Sequence, residues 1–180
     1  TMLNERDIAM NPTILSGDIG TVDNASDNVH HVVLAVFATT TPTTRLDGFT
    51  ITGGNADVSS NITVNGANIN HYYGGGIYTE SSTNTLTNNS LSGNTAANAG
   101  GGIYSGGTDT LTNNIIWGNS SGIGNAGSSL TVTYSIVQQA SGVYSGTGNL
   151  NEDPLFVDQP ELGLGTSGDL RLQACSPAIN

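Results

Sequence analysis

The sequence predicts an all-β fold in which the chain winds into a parallel β-helix of about four to five coils. Two stretches, 74–96 and 100–122, carry nearly the same residues in the same order. Within each stretch the apolar side chains fall in short runs separated by Thr, Asn and Gly, and they never cluster at helical spacing. The chain also has 25 glycines and only 9% charged residues, a composition that suits many short strands joined by tight turns.

The repeat has a defined register. GGGIY at 74–78 recurs at 100–104, and TLTNN at 85–89 recurs at 110–114. A period in the twenties indicates a solenoid, whose units bury their apolar rows only by stacking on one another. Strands of successive coils lie about 4.8 Å apart, so like residues should form columns. The predicted columns pair Ile77 with Ile103, Leu86 with Leu111 and, at a corner where the amides cover backbone groups, Asn88 with Asn113.

Fainter copies extend the repeat in both directions. LDGFTITGGNA from Leu46 aligns with LTNNSLSGNTA from Leu86, which predicts an insertion within 56–73. Downstream, VTYSIV aligns with LTNNII, and upstream PTILSGD and HVVLAVF are typical of strands of a first coil. We therefore predict coils over 1–148 and, in the same domain, a less regular segment over 149–180 that caps the last coil.

The charge of the chain excludes several functions. The formal net charge is −11, lysine is absent, and the basic side chains are Arg6, Arg45 and Arg171. Nucleic-acid binding needs a basic surface, and anionic membranes or acidic polysaccharides would also be repelled. No stretch has the length and hydrophobicity of a transmembrane helix. The single cysteine, Cys175, allows no internal disulfide, and we expect it to be a partly buried structural thiol.

The densest group of oxygen ligands lies in the segment SGDIGTVDNASDNVHH. Calcium prefers six to eight oxygen ligands on a flexible loop, although the spacing here is not that of an EF-hand. The alternative is a solvated turn, which Asp and Asn favour for backbone reasons. Our hypothesis is a Ca²⁺ site, with no other cofactor, formed by Asp18, Asp23, Asn24, Asp27 and Asn28.

Three histidines offer a weaker metal hypothesis. His30 and His31 follow the acidic segment and enter a strand, so one should point inward and the other outward. His71 is far away in the sequence, which makes a metal site formed by all three the less favoured interpretation.

The spacing of the carboxylates argues against catalysis. Glycoside hydrolysis needs two carboxyl groups about 5 to 9.5 Å apart. Glu80 aligns with Gly106 and Asp109 with Asn84, so no pair stacks across the clear coils. A polysaccharide lyase tends to use a basic side chain as proton acceptor, and such residues are nearly missing. We predict no enzymatic activity, with a carbohydrate-active β-helix enzyme, of glycosidase or lyase type, as the alternative.

Threonines alternate with inward-facing residues in both clear repeats. If Leu86 and Leu111 point inward, the threonines form an outward array. A Thr-x-Thr array on a β-helix is similar to the ice-binding faces of solenoid antifreeze proteins, so ice binding is a second alternative. The preference of Thr for strands explains the same pattern without a ligand. The array comprises Thr83, Thr85, Thr87, Thr108, Thr110 and Thr112.

Several motifs together resemble bacterial right-handed parallel β-helix repeat surface proteins, which are related to the polymorphic outer-membrane protein repeats. These motifs are NPTILSGDIG, LDGFTITGGNA, GGGIY, LTNNSLSGN and DPLFVD…LRLQACSPAIN. The C-terminal segment is similar to the choice-of-anchor domains. The resemblance implies a right-handed helix and export to the bacterial surface or beyond, but no activity. It also implies that the chain is a piece of a longer protein.

We therefore expect a non-catalytic extracellular structural or adhesion module of a bacterial cell-surface or secreted protein, stabilised by Ca²⁺ and part of a longer chain or filament. Its expected partners are a carbohydrate or protein on another surface, or another copy of the chain, but not nucleic acid. Tyr72 and Tyr73, in the predicted insertion, are the candidate contact residues. The alternative is that this insertion is a tolerated surface excursion.

Overall fold

The computed structural model describes residues 12–37, 43–164 and 168–179, which form short strands and one 3₁₀ turn at Ala25–Asp27. The strands are β1 (Ile14–Ser16), β2 (Val33–Val36), β3 (Thr44–Asp47), β4 (Thr50–Thr52), β5 (Asn55–Ala56), β6 (Asn61–Val64), β7 (Ala67–Asn70), β8 (Ile77–Thr87), β9 (Ser90–Leu91), β10 (Thr95–Ala96), β11 (Ile103–Thr112), β12 (Ile115–Ile116), β13 (Ile123–Asn125), β14 (Leu130–Thr133), β15 (Ile136–Val137), β16 (Phe156–Asp158) and β17 (Asp169–Leu172).

Three parallel sheets form the sides of the coils. The first stacks five strands in the order β1-β4-β9-β12-β15. The second is built on β8 and β11, which pair with each other, with β2 and β3 on one side and β13 and β14 on the other. The third pairs β5 with β10. Along the chain a strand of the second sheet is followed by one of the first sheet and one of the third, as in β8, β9 and β10. The predicted all-β parallel β-helix is therefore confirmed.

Inward side chains form three apolar columns that agree with the alignment of the repeats. Ile77 pairs with Ile103, and Leu86 pairs with Leu111. These residues and their neighbours make one continuous core along the coils. Complete burial of such a side chain is worth about 1.5–3 kcal/mol, so the columns are the main stabilising feature. They are Val33-Ile77-Ile103-Ile123, Leu46-Leu86-Leu111-Val132 and Leu15-Ile51-Leu91-Ile116-Val137.

The fainter repeats also align as predicted. Leu46 pairs with Leu86 and Ile51 with Leu91. Val132 pairs with Leu111, which places the downstream copy one coil further on. Ile136 also bridges Leu150 in parallel, so the winding continues slightly past the predicted boundary at residue 148.

A column of left-handed residues turns the chain at the corner between the second and the first sheet. Each coil has one residue there with φ between 49° and 79°. Only glycine and, less readily, Asn adopt this conformation at low cost, which explains the Asn and Gly letters of the repeat. The column is Gly48, Asn88, Asn113, Tyr134 and Gly148.

The residue that follows each corner points inward and carries a hydrogen-bond ladder. Asn89 accepts from the Phe49 amide at 3.0 Å, and Asn114 accepts from the Asn89 amide at 3.0 Å. The prediction that Asn88 and Asn113 cover the backbone at the bend is therefore wrong by one residue. A left-handed residue turns its own side chain out, and Asn113 reaches Asn88 on the exposed side at 3.5 Å.

The predicted insertion is an antiparallel hairpin, β6–β7, within the expected range 56–73. It folds back on the outer face of β2 and β8. Ala67 and Ile69 of the hairpin bury Val36 and Tyr78 in a second, smaller cluster. The outer face of the coils is therefore apolar where the hairpin covers it.

The C-terminal segment contains the antiparallel pair β16–β17 and runs along the side of the coils. Gly163 donates its amide to the Gly93 carbonyl at 2.7 Å, and its carbonyl accepts from Asn28 at 2.5 Å. These contacts place Gly163 beside earlier coils, and the cap on the last coil stays a prediction.

Candidate binding surfaces

A groove of about 530 Å³ lies between the corner column and the C-terminal segment. Asn88, Asn113 and Tyr134 form one wall, and Leu172 and Pro177 belong to the other. Ile115, Ile136 and Leu150 add apolar surface. The groove was not predicted, because the C-terminal side of it carries no repeat that could be aligned with the coils.

Tyr134 is an exposed aromatic side chain of this groove. It occupies the left-handed corner position, with φ of 49°, and its side chain is 61% exposed. The ring lies across Gly148 of the following turn, where a Cβ atom would come within 2.5 Å of it. Because Gly148 has no side chain, the tyrosine ring can pack flat against its backbone at the surface.

A polar row continues from Tyr134 along the same corner. Asn113 donates to Asn88 Oδ1 at 3.5 Å, and Asn88 donates to Asp47 Oδ1 at 2.8 Å. The Asn88 amide and then the Arg45 guanidinium hold the pKa of Asp47 below its usual range. The groove thus presents carboxamides and an aromatic ring, and the polar row ends at Asp47, outside the residues that line the groove.

The carboxylates of the clear coils do not face each other. Asp109 is 1% exposed and lies inside the coil. Its Oδ2 accepts from Thr79 at 2.6 Å and Ser105 at 2.7 Å, and its Oδ1 accepts from Asn84 at 2.6 Å. Glu80 extends on the outer face above Gly106. Asp109 lies on the inward side of β11 because it alternates with the outward threonines in step with Leu111.

The predicted calcium ligands lie on the first coil around the 3₁₀ turn. Asp18 Oδ2 accepts from the Asp23 amide at 2.9 Å, and Asn24 caps the turn by accepting from the Ser26 amide at 3.2 Å. Three other side-chain oxygens in this segment are buried and have no hydrogen-bond partner among the described residues. They are the Oδ1 atoms of Asp18, Asp27 and Asn28.

The structure brings together all three histidines of the chain, although His71 lies 40 residues after His31 in the sequence. The ring centres of His30 and His71 are 4.2 Å apart, and those of His31 and His71 are 5.3 Å apart. Within the described ranges, no three His, Cys, Asp or Glu side chains are arranged to hold a metal ion. The cluster is therefore a set of packed rings. The sequence did not indicate it because His71 is far from the other two histidines along the chain.

The two predicted contact tyrosines lie at the base of the hairpin and are partly buried. Tyr73 stacks on Tyr104 with ring centres 4.6 Å apart, and its hydroxyl accepts from Asn98 at 2.9 Å. Tyr104 in turn stacks on Tyr78, and burial raises the pKa of Tyr78 to about 12. Tyr73 thus ends an ordered aromatic row.

The threonine array lies on the strands where it was expected. Thr83, Thr85 and Thr87 pair with Thr108, Thr110 and Thr112, and the last two pair with Thr131 and Thr133. On the preceding coil the array ends, since Arg45 and Asp47 occupy the positions of Thr85 and Thr87 and form an ion pair at 2.6 Å. The uncharged surface therefore spans three coils.

Two further surface features concern charge and the thiol. In the described part of the chain the arginines are paired, Arg45 with Asp47 and Arg171 with Asp169 at 2.5 Å; Arg6 lies outside the described residues. Cys175 is exposed, so the expectation of a partly buried thiol is wrong. It lies on the outer C-terminal segment rather than in a coil.

Among the residues described, no helix is long and apolar enough to cross a membrane.

Comparison with known families agrees with this architecture. The model of the right-handed β-helix region matches residues 35–166, which is more than half of the chain. The chain therefore belongs to the right-handed β-helix family. No significant match was found among curated proteins or solved structures.

Proposed function

We propose that the chain is a non-catalytic binding module that holds an uncharged saccharide in the groove beside the corner column. The observation that carries the proposal is the alignment of the exposed Tyr134 ring with the carboxamides of Asn88 and Asn113 along one wall. A carboxamide both donates and accepts hydrogen bonds, which suits sugar hydroxyls. An exposed aromatic ring offers a flat apolar surface for the C–H face of a sugar.

The negative charge of the chain favours an uncharged ligand. The net charge of −11 repels acidic polysaccharides, and the arginines of the described part are already paired with carboxylates. A neutral chain of sugars avoids this repulsion. The rigid columns of the core hold the wall of the groove in place, so little ordering is needed when the ligand binds.

The arrangement of carboxyl groups supports a role without catalysis. In the clear coils Asp109 is enclosed by three hydrogen-bond donors, while Glu80 lies on the opposite side of the same sheet. A glycosidase needs two carboxyl groups on either side of one bond. The two groups cannot approach one substrate from these positions.

We also propose that this module works outside the cell, on a bacterial surface or in a secreted protein, and that Ca²⁺ stabilises its first coil. The resemblance to surface β-helix repeats supports the location. Three buried acceptor oxygens without donors, on Asp18, Asp27 and Asn28, support the cation. A buried acceptor without a partner costs about 1–3 kcal/mol, which a bound cation would relieve.

Binding of neutral glycans tests the proposed ligand. We expect the protein to retain one or more neutral oligosaccharides on a glycan array. Tyr134→Asn, which suits the left-handed corner, should weaken that binding about tenfold or more because the stacking surface is lost. Tyr72→Ala is the matched control and should leave binding unchanged. Absence of any neutral ligand, or an equal loss in the control, would contradict the proposal.

A further inference from the structure

The three histidines join the insertion hairpin to the first coil. His30 and His31 immediately precede β2, whereas His71 follows β7 at the base of the hairpin. The His30 and His71 rings are tilted by 30° and their centres are 4.2 Å apart, so they stack. His31 meets His71 edge-on at 5.3 Å and faces Tyr78 at 5.2 Å.

Hydrogen bonds fix the protonation of two of these rings. His30 Nδ1 lies 3.1 Å from the Asn55 carbonyl, and His31 Nδ1 lies 2.9 Å from the Gly74 carbonyl. A carbonyl oxygen only accepts, so Nδ1 carries the proton in both rings. His71 Nδ1 lies 3.0 Å from Ser60 Oγ. The neutral rings therefore fit this arrangement without a further proton.

A second proton does not fit on His31. Its Nε2 is buried and has no hydrogen-bond partner among the described residues. Burial, opposed by the Gly74 carbonyl and assisted by the charges of His71 and His30, lowers the pKa of His31 to about 4. Burial and then His30 also lower the pKa of His71. Protonation of this cluster places positive charges within 4.2 to 6.5 Å of one another.

The surroundings supply no ion pair for the protonated rings. Asp57 lies on the segment before the hairpin and accepts from the Asn55 side chain at 3.2 Å. On β8, the Glu80 charge adds to burial in raising the pKa of Tyr78 and Tyr104. Tyr78 packs against the His31 ring, and because burial raises its pKa to about 12 it carries no charge below pH 7. In the described part of the chain, no carboxylate forms a salt bridge with a histidine.

The hairpin covers apolar surface that its release would expose. The base of the hairpin is closed by the bond from the His71 amide to the Ser60 carbonyl at 3.0 Å. Beyond the base, Ile69 is fully buried against Val36 and Tyr78. The stacked histidines, this small cluster and a hydrogen bond from the Asn65 side chain to the Val36 carbonyl at 3.4 Å hold the hairpin to the coils.

We propose that His30, His31 and His71 form a proton-sensitive latch, which holds the β6–β7 hairpin on the coils when neutral and releases it on protonation. The released hairpin uncovers an apolar patch on β2 and β8. The trigger is the proton and not a metal ion, because in the described part of the chain these three rings are not arranged as a group that could hold a metal ion.

The pH window follows from linkage. His31 stays on the first coil, and release of the hairpin moves His71 away from it and opens it to water, so its pKa returns from about 4 in the latched state toward the ordinary value near 6.5. The released state therefore binds more protons, so the latch is fully stable above about pH 6.5 and weakens as the pH falls toward 4. The population of the released state at pH 5 should rise about tenfold or more above that at pH 7.5.

Hydrogen exchange of the intact protein tests the latch. After correction for intrinsic exchange, we expect residues 60–71 and β2 to lose protection between pH 7.5 and 5, while β11 and β12 stay protected. His71→Phe keeps a stacking ring without a titratable group and should abolish most of the change. Asp57→Asn is the matched control and should retain it. Zinc at pH 7.5 should leave the protection unchanged.

Three outcomes would overturn the latch. One is exchange in 60–71 that does not depend on pH in the wild type, and another is zinc-dependent protection. The third comes from NMR titration of the histidine rings, which requires no variant. We expect His31 to titrate far below pH 6.5, and three rings that titrate together near 6.5 would contradict the proposal even if His71→Phe failed to fold.

Discussion

Asn89 donates both its backbone amide and its side-chain amide to a single acceptor, Asn114 Oδ1 on the next coil, at 3.0 and 3.1 Å. Asn114 in turn donates to the Leu86 carbonyl at 2.8 Å. The same arrangement recurs at the next corner of the coil, where Asn94 donates to Asn119 Oδ1 at 3.1 and 3.0 Å. These ladders satisfy backbone groups where the chain bends and cannot pair as a strand.

The ladder predicts a large difference between two adjacent asparagines. Asn114→Ala leaves the Asn89 amide and the Leu86 carbonyl buried without partners, so we expect the free energy of unfolding to fall by about 3 kcal/mol. Asn113→Gly keeps the left-handed corner and should change it by less than about 0.5 kcal/mol. Urea denaturation measures both. Equal effects of the two variants would show that the buried ladder is not a separate stabilising feature.

The enclosed carboxyl group of Asp109 predicts a structural rather than a chemical role. Asp109→Ala leaves the buried Thr79 hydroxyl without its acceptor and removes one of the two partners of Ser105 and Asn84, so it should destabilise the fold by about 2–3 kcal/mol. Thr108→Ala, on the exposed side of the same strand, is the control and should be nearly neutral. A stable Asp109→Ala protein would mean that the group is retained for another reason.

The proposed calcium site predicts a thermal shift. At a concentration one hundred times its Kd, a ligand stabilises the folded state by about 2.7 kcal/mol. For a chain of this size we then expect Ca²⁺ to raise the Tm by about 5–10 °C, and a chelator to reverse the change. Asp18→Asn combined with Asp27→Asn should remove the shift, and Asp57→Asn should retain it. A Tm that ignores both Ca²⁺ and chelator rules out the site.

The threonine array predicts little contribution to stability. Thr110 is exposed and lies in a column with Thr85 and Thr131. Thr110→Val keeps the branched shape and the preference for strands, so the Tm should change by less than about 2 °C. If the array binds ice, the wild-type protein shows thermal hysteresis and Thr110→Val reduces it. We expect no thermal hysteresis, and measurable hysteresis that Thr110→Val reduces would support the ice-binding alternative for this face.

Much of the fold could be predicted because the coils repeat their residues. The pairing of Leu86 with Leu111 follows from matching letters, and the faint copy at Leu46 follows from the same spacing. The corner was misread because alternation, which separates inward from outward residues along a strand, breaks at a left-handed residue. Between Asn88 and Asn89 the sequence therefore offers no means of choosing the inward one.

The candidate sites were harder to predict because they join segments that share no repeat. His71 meets His30 only because the hairpin folds back on the first coil. Tyr134 looks like an irregular residue in a weak repeat, and its role depends on a C-terminal segment with no counterpart in the coils. Long-range packing of unlike segments is decided by shape and burial, which a single sequence does not display.

The fold and both proposed surfaces depend on the superposition of successive coils, and cysteine cross-linking measures that superposition directly. In a Cys175→Ser background, pairs of cysteines replace residues of the Thr85-Thr110-Thr131 column. A short thiol cross-linker should join 85 to 110 and 110 to 131, whose strands are adjacent at about 4.8 Å, but not 85 to 131, which are two coils apart. Cross-linking of 85 to 131 as fast as 85 to 110 would contradict the stacked coils.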